Sequence, residues 1–87
     1  MSKIKIDVKR VHIKKGVCRD SRKCPIANAL VAQGMIEPSV SCIGIYFKLA
    51  SGTIVRSKPT KKMRKFIERF DNEGSGAVKP TSFTLLY

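Results

Sequence analysis

Residues 59–71 read PTKKMRKFIERFD and contain the strongest helical signal in the chain. Met63, Phe66, Ile67 and Phe70 recur at i, i+3, i+4 and i+7, a spacing that puts four apolar side chains on one face of a helix. The Pro-Thr pair suits a helix start, and the sequence NEGSG that follows suits its end. This stretch therefore predicts an amphipathic helix that packs one face against a core.

A second, shorter helix is predicted upstream. Proline is favoured at the first helical position, so Pro25 makes Cys24 the expected N-cap residue. Residues 26–31 are mostly apolar, and Gly34 can end the helix. The preceding residues 16–24 are polar and basic, which predicts a loop.

The remaining segments have strand-like patterns. Ile and Val alternate with charged residues over positions 4–8, which predicts a strand whose end stays open because Val11 and Ile13 continue the alternation. Strand-like residues 40–49 and 53–56 flank an Ala-Ser-Gly turn and predict a hairpin. A last strand is predicted over residues 80–87.

The resulting order is β-α-β-β-α-β in a single basic domain, residues 1–87, because the chain is too short for two domains. We expect a small two-layer α+β sandwich. One arrangement with this order is the ferredoxin-like fold, an antiparallel sheet with two helices on one face. In that arrangement both helices would begin at the same edge of the sheet.

Charge is the clearest functional signal. The chain has 18 Lys and Arg against six Asp and Glu, a formal net charge of +12. Residues 1–24 hold nine basic and two acidic side chains, and residues 58–72 hold six and two. Basic side chains concentrated in two blocks repel one another in the folded protein, and an anionic partner relieves this repulsion. We therefore expect a polyanion-binding protein and not merely a solvated basic surface.

The two basic blocks coincide with the two predicted helix starts. Free N–H groups there favour anions, and basic side chains strengthen such a site. The phosphate-binding residues predicted on this ground are Arg19, Arg22 and Lys23 at the first helix, and Lys58, Lys61, Lys62 and Arg64 at the second.

The cysteines and the single histidine raise two further hypotheses. Cys24, at a helix start beside basic residues, is expected to have a lowered pKa and to be a reactive thiol, with His12 as a base and Asp20 as its orienting group. Four potential ligands, Cys18, Cys24, Cys42 and His12, could also form a zinc site. His12, Cys18 and Cys24 are evenly spaced and lack the tight pairs of structural zinc sites, so we expect no metal and no cofactor. The sequence offers no oxyanion element beyond the helix start and little room for a cleft, so we also expect no catalysis.

Tyr46 is a candidate for stacking on a nucleic-acid base. If Phe47 points into the core, Tyr46 points to the opposite face of its strand, where it could stack on a base. The alternative, favoured by the burial habits of tyrosine, is a half-buried position or a subunit interface.

Four stretches together resemble a group of small, functionally uncharacterised proteins of bacteriophages and prophages. They cover most of the chain in order: residues 24–30 (CPIANAL), His12-Ile13 with Gly16, residues 63–71, and Lys79-Pro80 followed by residues 82–85 (SFTL). The turn between residues 71 and 78 is longer here than in that pattern. The resemblance implies a phage accessory protein in the cytoplasm of a bacterial host, and it assigns no catalytic residue.

The sequence thus predicts a non-enzymatic protein that binds DNA or RNA through phosphate contacts with little sequence specificity. The alternative is a counter-defence protein that sequesters a small nucleotide signal or blocks a host defence protein. No run of about 18 apolar residues and no secretory signal is present, so no membrane partner is expected. Whether the chain forms a homodimer or larger oligomer is left open.

Overall fold

The computed structural model describes residues 2–87 and has an α+β architecture, as predicted. The α+β class is therefore confirmed. The elements in chain order are β1 (Lys3–Val8), α1 (Arg10–Lys14), α2 (Pro25–Ala32), β2 (Ile36–Val40), β3 (Ile45–Lys48), β4 (Ile54–Ser57), α3 (Lys61–Glu73), a 3-10 turn (Ser75–Ala77) and β5 (Thr81–Leu86). No helix among these residues is long and apolar enough to cross a membrane.

The strands form two antiparallel sheets instead of one. β1 pairs with β5, from Lys3 opposite Leu86 to Val8 opposite Thr81. β2, β3 and β4 form a separate three-stranded meander in sequential order. The ferredoxin-like arrangement, in which the first strand would pair with β4 at the centre of a single sheet, is not the one adopted.

The Gln33 side chain is hydrogen-bonded to the free edge of β1, where a further strand could otherwise pair. The Gln33 amide accepts a hydrogen bond from the Asp7 N–H at 2.8 Å and donates one to the Lys5 carbonyl at 2.7 Å. It thereby satisfies the backbone groups that a paired strand would otherwise satisfy. The two sheets are linked at the free edge of β5, where the Ser57 hydroxyl donates to the Leu86 carbonyl at 2.9 Å.

Two elements were not predicted from the sequence. The alternation through Val11 and Ile13 belongs to α1, not to an extended strand, and the Lys9 N–H at its start donates to His12 Nδ1 at 3.0 Å. β2 is irregular, because Glu37 has a left-handed φ of 49° and the pairing register shifts between Ile36 and Ser39. The alternation over α1 is that of a strand, so it predicted the wrong element, and β2 lacks a regular alternation of apolar and polar residues.

The core lies between the sheets and the two longer helices. The periodicity of α3 is confirmed, because Met63, Ile67 and Phe70 are buried and Phe66 is half-buried. Both predicted helix starts are also confirmed: Cys24 Sγ accepts from the Ala27 N–H, and the hydroxyl of the α3 N-cap, Thr60, accepts from the third helical N–H.

Candidate anion-binding site

The two helix starts are not brought to one edge. Cys18 Sγ donates to the Phe70 carbonyl at 3.2 Å, and the Arg19 N–H donates to the Asp71 carboxylate at 2.8 Å. The start of α2 therefore lies beside the C-terminal half of α3. Lys61, at the start of α3, is ten residues from Asp71, which is about 15 Å along a helix axis. The expectation of a shared edge was wrong because it depended on a single sheet.

The start of α2 is also less basic than its sequence indicated. A cavity of about 260 Å³ at this place is lined by Asp20 and Asp71 as well as by Arg19. The Asp20 carboxylate accepts a hydrogen bond from the Arg22 N–H at 3.0 Å. Carboxylates of the chain itself thus already take loop N–H groups that a bound phosphate would need. Arg19, Arg22 and Lys23 are all exposed, but of these three predicted phosphate-binding residues Arg19 alone lines this mixed-charge cavity.

The prediction of a reactive thiol at Cys24 is corrected by its burial. Only 4% of Cys24 is exposed, and desolvation raises the pKa of its thiol to about 11, with Asp71 and Asp20 adding to the rise. The helix-start N–H groups act in the opposite direction but do not outweigh burial. The buried sulfur of Cys24 caps α2, and its raised pKa does not fit the expected activated thiol.

In the part of the chain that the structure describes, no hydrogen bond joins the His12 imidazole to the Cys24 thiol, as a nucleophile–base pair would require. His12 Nδ1 accepts the Lys9 N–H, and burial together with Lys9 and Lys15 lowers the pKa of its imidazole. Burial also raises the pKa of the Cys42 thiol, with Glu68 and Asp71 contributing. Among residues 2–87, no three His, Cys, Asp or Glu side chains are grouped so that they could hold a metal ion.

A larger, strongly basic groove lies elsewhere, between α3 and the segment that leads into β5. Its volume is about 500 Å³, and four of the side chains around it are cationic while none is acidic. The groove is lined by Lys62, Lys65, Phe66, Arg69, Ala77, Val78, Lys79, Thr81 and Phe83. We call this feature the basic groove.

The basic wall of the groove follows from helix geometry. Lys62, Lys65 and Arg69 are three and four residues apart, so they lie along one side of α3, next to its buried stripe. Their positions span about 10 Å along the helix axis. Lys79 reaches the groove from the loop before β5. Mutual repulsion of these like charges is tolerated on an open surface, and a bound anion relieves it.

One of the cations is held in place by the fold. The Lys62 ammonium donates to the Ser82 carbonyl at 3.0 Å and lies 5.3 Å from the centre of the Phe83 ring. An ammonium has three donors, so others stay free for a ligand. Lys62 therefore requires less ordering on binding than a freely rotating lysine.

Arg69 has one competing partner. Its Nε lies 3.5 Å from a carboxylate oxygen of Glu73, one turn further along α3. Both side chains are mostly exposed, and exposed pairs of this kind contribute only about 0.3–0.5 kcal/mol. Glu73 does not line the basic groove, so the lining itself contains four cations and no carboxylate.

The apolar floor of the groove consists of Phe66, Ala77, Val78 and Phe83. Phe66 and Phe83 meet edge to face, with centroids 5.4 Å apart and an interplanar angle of 81°. Phe83 is buried, whereas Phe66 is half-buried and faces the groove. The groove thus combines a fixed aromatic surface with surrounding cations.

The sequence found this site only in part. Of the seven predicted phosphate-binding residues, Lys62 lines the groove, while Lys58 and Lys61 are exposed outside it. Arg64 does not line the groove. It lies close enough to Cys42 to oppose the rise in the pKa of that thiol, so it faces another side of α3. Lys65 and Arg69 were missed, although their spacing from Lys62 was a usable signal. Lys79 could be placed only by the fold.

Tyr46 lies on the outer face of the three-stranded sheet. Phe47 points into the core, as the stacking hypothesis required, and Tyr46 is half-buried. Its cross-strand neighbour Arg56 places its guanidinium 5.8 Å from the centre of the Tyr46 ring. The role of Tyr46 in stacking stays a prediction.

No protein-family model, curated protein or solved structure matches this chain. Its function is therefore inferred from the basic groove itself.

Proposed function

We propose that this protein binds DNA or RNA through phosphate contacts in the basic groove, with little sequence specificity and without catalysing a reaction. The observation that carries the proposal is the set of four cations around one open groove with no carboxylate in its lining. The net charge of +12 strengthens attraction of a polyanion to the whole molecule. The resemblance to phage proteins fits an accessory role in an infected bacterium.

The chemistry of the side chains favours phosphate. Arg69 has the planar fork that can bind two phosphate oxygens, and the lysines act as point charges. Thr81 is the only uncharged polar side chain in the lining, so the groove offers few groups that could distinguish base edges. Binding through it should depend on charge far more than on sequence.

The first test is fluorescence anisotropy with a short labelled DNA strand across a salt series. Four phosphate contacts give a slope of log affinity against log salt of about −3 for a single strand. Affinity should therefore fall by about 50-fold or more between about 50 and 200 mM salt. Absence of binding even at the lowest salt concentration would contradict the proposal.

A matched pair of variants locates the binding surface. Lys65→Gln with Arg69→Gln removes two charges inside the groove, and Lys61→Gln with Arg64→Gln removes two from the same helix outside it. The groove pair should make the salt slope shallower by about 1.4. The control pair should change it much less. Equal losses in both would show that net charge, not the groove, determines binding.

The volume of the groove supports a second candidate, the capture of a small free nucleotide. Its roughly 500 Å³ falls within the range of about 300–1,000 Å³ found for small-molecule pockets. A single nucleotide releases few counterions, so its binding should depend weakly on salt. Tight binding of a nucleotide with a shallow salt slope, and no binding of strands, would favour this candidate over the first.

A further inference from the structure

We infer that the basic groove accepts an unpaired nucleotide of a single strand, with its base against Phe66, in preference to a duplex. This inference rests on the proposed function and specifies its ligand. The supporting observation is the aromatic rings in the floor of the groove, because a site that bound phosphates alone would need only cations.

The shape of the groove favours a single strand over a duplex. It is a concavity of about 500 Å³ whose cations stand around an apolar floor of Phe66, Ala77, Val78 and Phe83. A duplex keeps its bases stacked inside and offers a charged backbone to the cations, which would leave that floor in contact with water. An unpaired base has an exposed ring face that can cover the floor.

Phe66 is the ring available for this contact. Phe83 is only 3% exposed, and the Lys62 ammonium already lies against it. Phe66 is half-buried, and its edge-to-face contact with Phe83 holds its plane. A ring fixed by packing loses little conformational entropy when a base stacks on it.

Cations lie on both sides of Phe66 along α3, as the phosphates on either side of a base in a nucleic-acid strand would require. Lys62 precedes it by four residues and Arg69 follows it by three, so one cation lies about one helical turn away on each side. Lys65 is its immediate neighbour. A base at Phe66 would thus have cations in reach of the phosphates on both its 5′ and 3′ sides.

The test compares three labelled probes with the full chain at one salt concentration. They are a single strand, the same strand with abasic sites in place of its bases, and the duplex of the same sequence. Base stacking contributes about fivefold or more to affinity per base, so the intact single strand should bind at least about fivefold more tightly than the abasic strand. It should also bind more tightly than the duplex, although the duplex carries more charge.

Variants of Phe66 connect this preference to the groove. Phe66→Leu keeps an apolar side chain for the core and removes the ring, so it should reduce affinity for the intact strand to that for the abasic strand. Affinity for the abasic strand should fall much less, because that strand has no base to stack on the ring. Phe66→Tyr keeps the ring and should retain the preference, and a thermal melt of each variant verifies the fold.

Two results would overturn the inference in distinguishable ways. Equal affinity for the intact and the abasic strand in the wild-type protein, with salt-dependent binding of both, would show phosphate contacts without base stacking. The proposed function would then stand without this inference. Failure of all three probes to bind would remove the proposed function itself. The comparison of probes on the wild-type protein decides the matter even if Phe66→Leu does not fold.

Discussion

The backbone N–H of Arg19 donates a 2.8 Å hydrogen bond to the carboxylate of Asp71, which lies 52 residues further along the chain. Arg19 has a left-handed φ of 60°, an uncommon conformation for a residue with a side chain. This contact fixes the basic loop before α2 against the C-terminal half of α3. It also places a negative charge where the sequence alone indicated a phosphate site.

Removal of the Asp71 carboxylate should loosen this loop. We expect Asp71→Ala to lower the free energy of unfolding by about 1–2 kcal/mol, because the Arg19 N–H loses a charged acceptor. Urea denaturation measures the change, and Asn72→Ala at the exposed neighbouring position is the control. Equal stability of the Asp71 variant and the wild type would show that the contact contributes nothing.

Gly16 is predicted to tolerate no side chain. A Cβ atom there would lie 2.8 Å from Phe70 Cζ and 2.9 Å from Pro25 Cδ, and the Phe70 ring is buried. Gly16→Ala should therefore cost about 1–3 kcal/mol through overpacking. Gly76→Ala, where a Cβ meets no atom within 4 Å, should be nearly neutral. Thermal melts of the two variants would contradict this account if their midpoints were the same.

The three thiols should react at different rates with an alkylating reagent at neutral pH. Cys18 is exposed, Cys42 is intermediate and Cys24 is buried. Cys24 should stay unmodified until the protein unfolds, because its thiol is inaccessible and its pKa is about 11. Mass spectrometry of peptides after timed labelling gives the order. Modification of Cys24 before the others would restore the hypothesis of an activated thiol.

Stability should fall in mildly acidic solution because of His12. The pKa of its imidazole is lower in the folded protein than its ordinary value of 6.5, so the unfolded chain binds the proton more readily. The loss should begin as the pH falls through about 6.5, and no contribution is expected above that range. Thermal midpoints at about pH 7.5 and 5.5 measure it. His12→Gln should show a smaller decrease, and an equal decrease would assign the effect to other groups.

The sequence predicts the local elements well where periodicity or capping is strong. The α3 stripe of Met63, Ile67 and Phe70, the N-cap at Cys24 and the hairpin of β3 and β4 follow from patterns within a few residues. The pairing of strands into two sheets does not follow from local patterns. It depends on distant contacts such as the hydrogen bonds between the Gln33 amide and the backbone of β1. Local pattern contains no information on such distant partners.

The same limit applies to the candidate site. The charge of residues 58–72 placed one predicted anion site on α3, and Lys62 of that set lines the basic groove. The helix-start argument then selected Arg64 over Lys65, because it ranked residues by distance from the helix start and not by the side of the helix they occupy. Lys79 joins the basic groove through tertiary structure alone. Burial likewise reverses the expected direction of the Cys24 pKa.

The most direct test of the basic groove as the binding surface is a two-dimensional ¹H–¹⁵N NMR titration of the labelled protein with a short single strand of DNA. We expect the largest shift changes at Lys65, Phe66, Arg69 and Thr81, around the groove. Changes centred on residues 19–23, or on Tyr46 and Arg56 of the outer sheet face, would place the nucleic acid elsewhere and contradict this expectation.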